Sequence, residues 1–184
     1  MLFNIAIDVD GVLVEIAEKY FKHKKLSITP EDVDEYKITD VLKKHGYDQE
    51  FLDTFWDDFE NDETFYDDLV LSENGELIKR DLINFHKVSR NQLFVTFYTK
   101  TPVKHRTSKR KFLEKYMELD KYPCMIKFCD MDDQKDYSRY HLIIEDNPNE
   151  IKNYGHRFVL VQQPYNWRYA SRCKSVIKDG VHYR

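Results

Sequence analysis

The chain has 184 residues, 41% of them hydrophobic and 15% aromatic, with only five Gly and five Pro. That length suits one domain, or one core carrying an inserted module, and the composition excludes a disordered, collagen-like or low-complexity chain. The net charge of -4 hides an asymmetry: no Lys or Arg stands between Lys44 and Lys79, whereas Lys100, Lys104, Arg106, Lys109, Arg110, Lys111 and Lys115 form a basic run.

Leu2–Ile7 is a short apolar run closed by Asp8-Val-Asp-Gly11, which predicts a buried strand and a tight loop. From about Ile16 to Phe85 the pattern is that of amphipathic helices with no strand. Thr29-Pro30-Glu-Asp32 has the residues of a helix start, and Thr39–Lys44, Glu50–Phe59 and Gly75–Lys87 predict further helices. Strand-like runs return at Leu93–Tyr98, Cys124–Cys129, His141–Ile144 and Arg157–Val161. A helix is expected over Lys104–Met117, where Phe112, Leu113, Tyr116 and Met117 share a face. Alternating strands and helices imply an α/β fold with a Rossmann-like parallel sheet. Its core is expected over 1–15 and 86–184, with a helical cap over 16–85 inserted after the first strand.

Cys124, Cys129 and Cys173 are odd in number and lack CxxC spacing, so reduced thiols are expected. The first apolar run is too short for a signal peptide, and no stretch is long enough to span a bilayer. These features lead us to expect a cytoplasmic protein without a membrane partner. The seven His show no HExxH pairing and are expected in structural or surface roles.

In open α/β sheets, ligand chemistry gathers at the carboxyl ends of the strands. There this sequence places Asp8 and Asp10, then Thr99-Lys100-Thr101, then Asp130, Asp132, Asp133 and Lys135, and finally Glu145-Asp146. Carboxylates converging with a hydroxyl and a lysine suit Mg²⁺ and a phosphate group. The carboxylate oxygens are hard ligands for the cation, and the donors bind phosphoryl oxygens. A calcium loop would require more oxygen ligands than Asp8-Val-Asp-Gly supplies before it runs into Val12-Leu13.

These residues resemble the four motifs of the haloacid dehalogenase (HAD) superfamily. Ile5-Ala-Ile-Asp8-Val-Asp10-Gly-Val-Leu13 is similar to the first, Thr99 to the second, Lys135 to the third and Ile143-Ile-Glu145-Asp146 to the fourth, in the family's order. Thr96 and Lys127 are rivals for the second and third, but both lie within apparent strands. The resemblance implies that Asp8 is a nucleophile and Asp10 a general acid and base, with Thr99 and Lys135 holding the phosphoryl oxygens. It further implies Mg²⁺ held by Asp8, the backbone carbonyl of Asp10, and Glu145 or Asp146; the family's usual pair in the fourth motif is Asp-Asp.

Phe65-Tyr-Asp-Asp-Leu69 and Val161-Gln-Gln-Pro-Tyr-Asn166 are further similar to the 5'(3')-deoxyribonucleotidase branch. That similarity implies a small phosphoester substrate, a (deoxy)nucleoside monophosphate, whose base meets cap aromatics. Phe51, Trp56, Phe65 and Tyr66 are the candidates, with Lys100 as a further substrate-binding residue. Two alternatives are a polynucleotide 3'-phosphatase using the basic run on nucleic-acid ends, and a catalytically silent HAD-like binding protein.

Overall fold

The computed structural model of the chain describes residues 2–89 and 92–183. Strand β1 (Phe3–Ile7) is followed by five helices: α1 (Ala17–His23), α2 (Ile38–Lys44), α3 (Gln49–Thr54), α4 (Asp57–Glu60) and α5 (Glu73–Val88). Then come β2 (Leu93–Lys100), α6 (Arg106–Tyr116), β3 (Cys124–Cys129), β4 (Leu142–Glu145), α7 (Ile151–Tyr154), β5 (Phe158–Val161), β6 (Ser175–Lys178) and β7 (Val181–Tyr183). The seven strands form one sheet in the order β3-β2-β1-β4-β5-β6-β7. Every pair is parallel except β6 with β7. No helix among the described residues is long and apolar enough to cross a membrane.

Side chains alternate across a strand, and the two faces of this sheet divide accordingly. Ile5, Ile7, Ile144, Val159 and Val161 belong to one buried cluster, which also takes Phe112 and Leu113 of α6. Their neighbours Ala6, Ile143, Phe158 and Leu160 belong to a second, with Tyr98, Tyr137 and Ile151. Burial on both faces explains why the central strands read as continuous apolar runs.

The expected helices differ from the observed ones in two places. Glu50–Phe59 is broken into α3 and α4 at Phe55 and Trp56. The break lets both rings join an aromatic cluster around Tyr20, whose ring centroid lies 6.1 Å from Phe55 and 5.1 Å from Trp56. At Thr29 the capping box forms, with Asp32 accepting from the Thr29 N–H at 2.9 Å, but only a single 3-10 turn follows. Val33 then turns into the core. The structure also adds β6 and β7, of four and three residues around the Asp179-Gly180 turn, too short to show a period.

Helix α5 lies on the sheet: Ile78, Leu82 and Phe85 share an apolar groove of about 710 Å³ with Phe3, Ile5, Ile144, Val159 and Ile177. Its N-terminus is capped by Ser72, which accepts from the Gly75 N–H at 3.1 Å. The Ser72 N–H is in turn tied to the Leu13 carbonyl at 2.9 Å. A Cβ at Gly75 would stand 2.4 Å from that carbonyl oxygen. Gly75→Ala is therefore expected to lower stability by about 1–3 kcal/mol, as for overpacked sites generally, read as a fall in the thermal midpoint.

Candidate active site

Ile7 pairs with Phe97 of β2 on one side and with Ile144 of β4 on the other. Asp8, which follows β1, therefore meets Thr99 near the end of β2, Glu145 at the end of β4 and Asp146 just after it, all at the carboxyl end of the sheet. The Asp8 N–H donates to the Ile144 carbonyl at 3.0 Å, which ties the loop after β1 to β4. That loop curls at once, with the Leu13 N–H on the Val9 carbonyl at 2.8 Å and the Gly11 N–H on the Val14 carbonyl at 2.9 Å. Gly11 has a φ of +72°, and a Cβ there would meet Asp146 Oδ2 at 2.4 Å. Glycine is thus required both by backbone conformation and by the close approach of a carboxylate.

Asp8, Glu145 and Asp146 are all buried, and each offers a carboxylate oxygen within 4.8 Å of the others'. Lys135 Nζ sits among them, 2.8 Å from Asp8 Oδ2 and 2.9 Å from Glu145 Oε2. Glu145 is saturated: the Tyr137 hydroxyl donates to Oε2 at 2.5 Å, and the N–H groups of Asp146 and Asn147 donate to Oε1 at 3.1 and 3.2 Å. Asp146 receives the Tyr165 hydroxyl on Oδ2. Asp8 Oδ1 is buried and has no hydrogen-bond partner among the described residues.

The charge balance follows from this crowding. Burial, with the charges of Glu145 and Asp10 beside it, pushes Asp8 up to about 7 against the pull of Lys135. Burial and the neighbouring Glu145 hold Asp146 well above the usual carboxylate range. Glu145 is also buried, yet Lys135 and its hydrogen bonds hold it down at about 2. Lys135 is itself raised, because Asp8 and Glu145 outweigh the cost of its burial. A buried carboxylate oxygen with no partner among the described residues, beside two carboxyls that resist ionisation, is the chemistry of a cluster suited to a cation. The donor set is all hard oxygen, which fits Mg²⁺.

No family model matches the sequence, and no curated protein matches it. Solved structures do. A chain assigned as a β-phosphoglucomutase of Thermotoga maritima superposes with a TM-score of 0.56 at 15% identity, covering 97% of this chain and 95% of that one. A HAD hydrolase of family IA, variant 3, from Entamoeba histolytica gives a TM-score of 0.54 at 14% identity, covering 96% and 92%. The fold is that of the HAD hydrolases.

Within this HAD fold, Asp10 and Thr99 are joined by a residue that the sequence reading counted only as part of the basic run. Lys109 of α6 is fully buried, with Nζ 2.6 Å from Asp10 Oδ2 and 2.9 Å from Thr99 Oγ1. Burial lowers its pKa while Asp10 pulls the other way. A signal was present in the sequence: Lys109 lies three and four residues before Phe112 and Leu113, on the apolar stripe of its own helix.

The four aromatics named as substrate candidates lie in different surroundings. Tyr66 is buried and its hydroxyl donates to Asp10 Oδ1 at 2.7 Å. Phe65 is fully buried and its ring stacks on His105 at 4.8 Å. Phe51 and Trp56 are half-buried, Phe51 stacked on Tyr47 at 4.7 Å and Trp56 edge-on to Tyr20. Lys100 is half-buried and donates to the Met131 carbonyl at 3.0 Å. Tyr36, absent from the expected set, is exposed and meets Tyr165 edge-on at 5.6 Å, one residue removed from Asp146.

The segment after β5 serves the site as support. Gln163 Nε2 donates to the Gly11 carbonyl at 2.9 Å and to Glu15 at 2.8 Å. Fully buried Asn166 donates to the carbonyls of Asp146 and Val161 at 2.8 and 3.0 Å and accepts from the Gln163 N–H at 2.9 Å.

These shifts predict a pH-dependent stability. A carboxyl raised from 3.8 to about 7 on folding contributes stability that is complete below its unfolded pKa and is lost as pH rises through the folded one. Metal-free protein is therefore expected to melt at a lower temperature at pH 8 than at pH 5, and Asp8→Asn to flatten that slope. Mg²⁺ is expected to raise the midpoint more at pH 8, where protons no longer compete for the carboxylates. Thermal melts with Mg²⁺ and with EDTA at the two pH values check both.

Proposed function

We propose that the chain is a magnesium-dependent phosphatase of small phosphomonoesters, (deoxy)nucleoside monophosphates first among them. The observation that carries this is Asp8, a buried carboxylate with one oxygen fixed by Lys135 and the other without a partner among the described residues, beside Asp146. A carboxylate committed only to structure has both oxygens satisfied; this one keeps a lone pair available.

In this reading an Asp8 oxygen attacks phosphorus in line, forming a P–O bond as the bond to the leaving oxygen breaks. Asp10 gives that leaving oxygen its proton. It then takes one from the water that attacks the aspartyl-phosphate, releasing inorganic phosphate and restoring Asp8. Thr99 and Lys135 hold phosphoryl oxygens and offset their developing charge. Asp8, Asp146 and the Asp10 carbonyl are the residues that would hold Mg²⁺, with Glu145, whose oxygens are all engaged, as the buttress behind them. Bound there, the cation supplies charge neutralisation for the phosphoryl group.

Two observations favour a small substrate over a polymer end. The segment between β1 and α5 closes on the site, with Tyr66 on Asp10 and Tyr36 beside Tyr165. In addition, Lys104 and Arg106 of the basic run are engaged with Glu63 and Asp130. The similarity of Phe65-Tyr-Asp-Asp-Leu69 and Val161–Asn166 to the deoxyribonucleotidase branch supports a nucleotide. The assignment of the T. maritima structure makes a sugar phosphate the competitor.

The test is phosphate release from 5'- and 3'-deoxynucleoside monophosphates, ribonucleotides, a hexose phosphate and a 3'-phosphorylated oligonucleotide. We expect Mg²⁺-dependent release, greatest from nucleoside monophosphates, and a loss of at least about a thousand-fold in Asp8→Asn. Preference for the oligonucleotide would reassign the substrate to nucleic-acid ends. Folded protein that releases nothing from any of them would leave a HAD-like binding protein.

A further inference from the structure

We propose that Lys109 is a positioning residue that sets, with one ammonium group, both the donor direction of Thr99 and the proton-carrying oxygen of Asp10. The inference rests on the phosphatase reading above and goes beyond it, since it gives the acid–base group a fixed polarity supplied from α6.

The argument begins with the ammonium itself. A lysine Nζ carries three hydrogens and no lone pair. Lys109 is fully buried, and its Nζ has three acceptors: Asp10 Oδ2 at 2.6 Å, Thr99 Oγ1 at 2.9 Å and the Lys100 carbonyl at 3.4 Å. The Tyr66 ring lies 4.7 Å away on another side. Two hydrogens are committed at ordinary distances and the third is directed at the Lys100 carbonyl, so none is aimed at a substrate.

The consequences fall on the two partners. Thr99 Oγ1 must accept from Lys109, so its own hydrogen points elsewhere; its present acceptor is the Lys100 carbonyl at 3.3 Å, a stretched bond. A phosphoryl oxygen is the stronger acceptor, being charged. On Asp10, Oδ2 is taken by Lys109 and Oδ1 by the Tyr66 hydroxyl at 2.7 Å. A proton destined for a leaving group therefore belongs on Oδ1. Lys109 is fixed by its burial in α6 and by its bond to Thr99, whereas Tyr66 stands on the segment between β1 and α5, so Tyr66 is the contact that yields. Lys109 thus acts through Asp10 and Thr99 and does not touch the reacting atoms.

The experiment exploits leaving-group chemistry. An alkyl phosphate needs a proton on its departing oxygen, whereas 2,4-dinitrophenyl phosphate releases a stable phenolate without one. In Lys109→Met, which keeps the stem and loses the donors, single-turnover cleavage of an alkyl phosphomonoester should fall at least about a hundred-fold. Phenolate release should fall at least ten times less, and KM should change less than kcat. Aspartyl-phosphate should accumulate in the variant with the activated substrate, because the same carboxyl activates the hydrolytic water. In a double-mutant cycle with Asp10→Asn, the losses on the alkyl substrate should be strongly non-additive.

Equal loss on both substrates with additive effects would overturn the proposal and leave the phosphatase standing. A wild-type protein inactive on both would overturn the phosphatase reading and the proposal with it. If Lys109→Met fails to fold, the same cycle is read in Lys109→Gln, which keeps two donors. There, partial recovery of the alkyl reaction is expected, and none would count against the proposal.

Discussion

The arrangement at the carboxyl end of the sheet depends on one ammonium group shared by two buried carboxylates. Two like charges at the spacing of this cluster repel by about 3–4 kcal/mol even at an effective dielectric of about 20. Asp8, Glu145 and Asp146 could not all ionise together in a dry pocket without help. Lys135 settles the order among them: it commits Glu145 to the anionic form, fixes one oxygen of Asp8, and leaves Asp146 with the Tyr165 hydroxyl. Ionising Asp8 and Asp146 as well would leave negative charge that Lys135 alone cannot offset, which is what a divalent cation among these oxygens would balance. Breaking the pair with Lys135 would leave a stranded buried charge.

Around that centre the protein uses second contacts to hold first ones. Tyr137 and two backbone N–H groups fix Glu145; Lys109 fixes Asp10 and Thr99; Gln163 and Asn166 fix the two loops that carry Asp10 and Asp146. Each loop is short and rests on a parallel strand whose register is set by apolar pairs such as Ile7 with Phe97 and Ile144. Positional accuracy at the site is therefore inherited from the packed sheet, the general condition for preorganised electrostatics.

The sheet and the main carboxylates were legible in the sequence for one physical reason. A strand buried on both faces is an apolar run, so the hydroxyl or charged residues that close it mark the carboxyl end of the sheet, as Asp8, Thr99 and Glu145 do. The helices of the inserted segment were legible only as a class. Their boundaries depend on where Phe55, Trp56 and Phe59 turn to meet Tyr20, which no local period records. Lys109 was hidden by its neighbours: in a run of basic residues one lysine looks like the rest, and its burial becomes visible only against Phe112 and Leu113. The strands β6 and β7 form a hairpin at one end of the sheet, turning at Asp179-Gly180, and carry too few residues to announce themselves.

Asn166 illustrates what this design asks of heredity. Its amide donates to two carbonyls and accepts from one N–H, in a place with no room for solvent. Aspartate lacks the donors, glutamine is longer by a methylene, and serine or threonine cannot reach three partners on two sides. Position 166 therefore has almost no chemical freedom to vary without loosening the loop that carries Asp146, although its side chain touches only main-chain groups. The direction of its hydrogen bonds tells a buttress from a reagent.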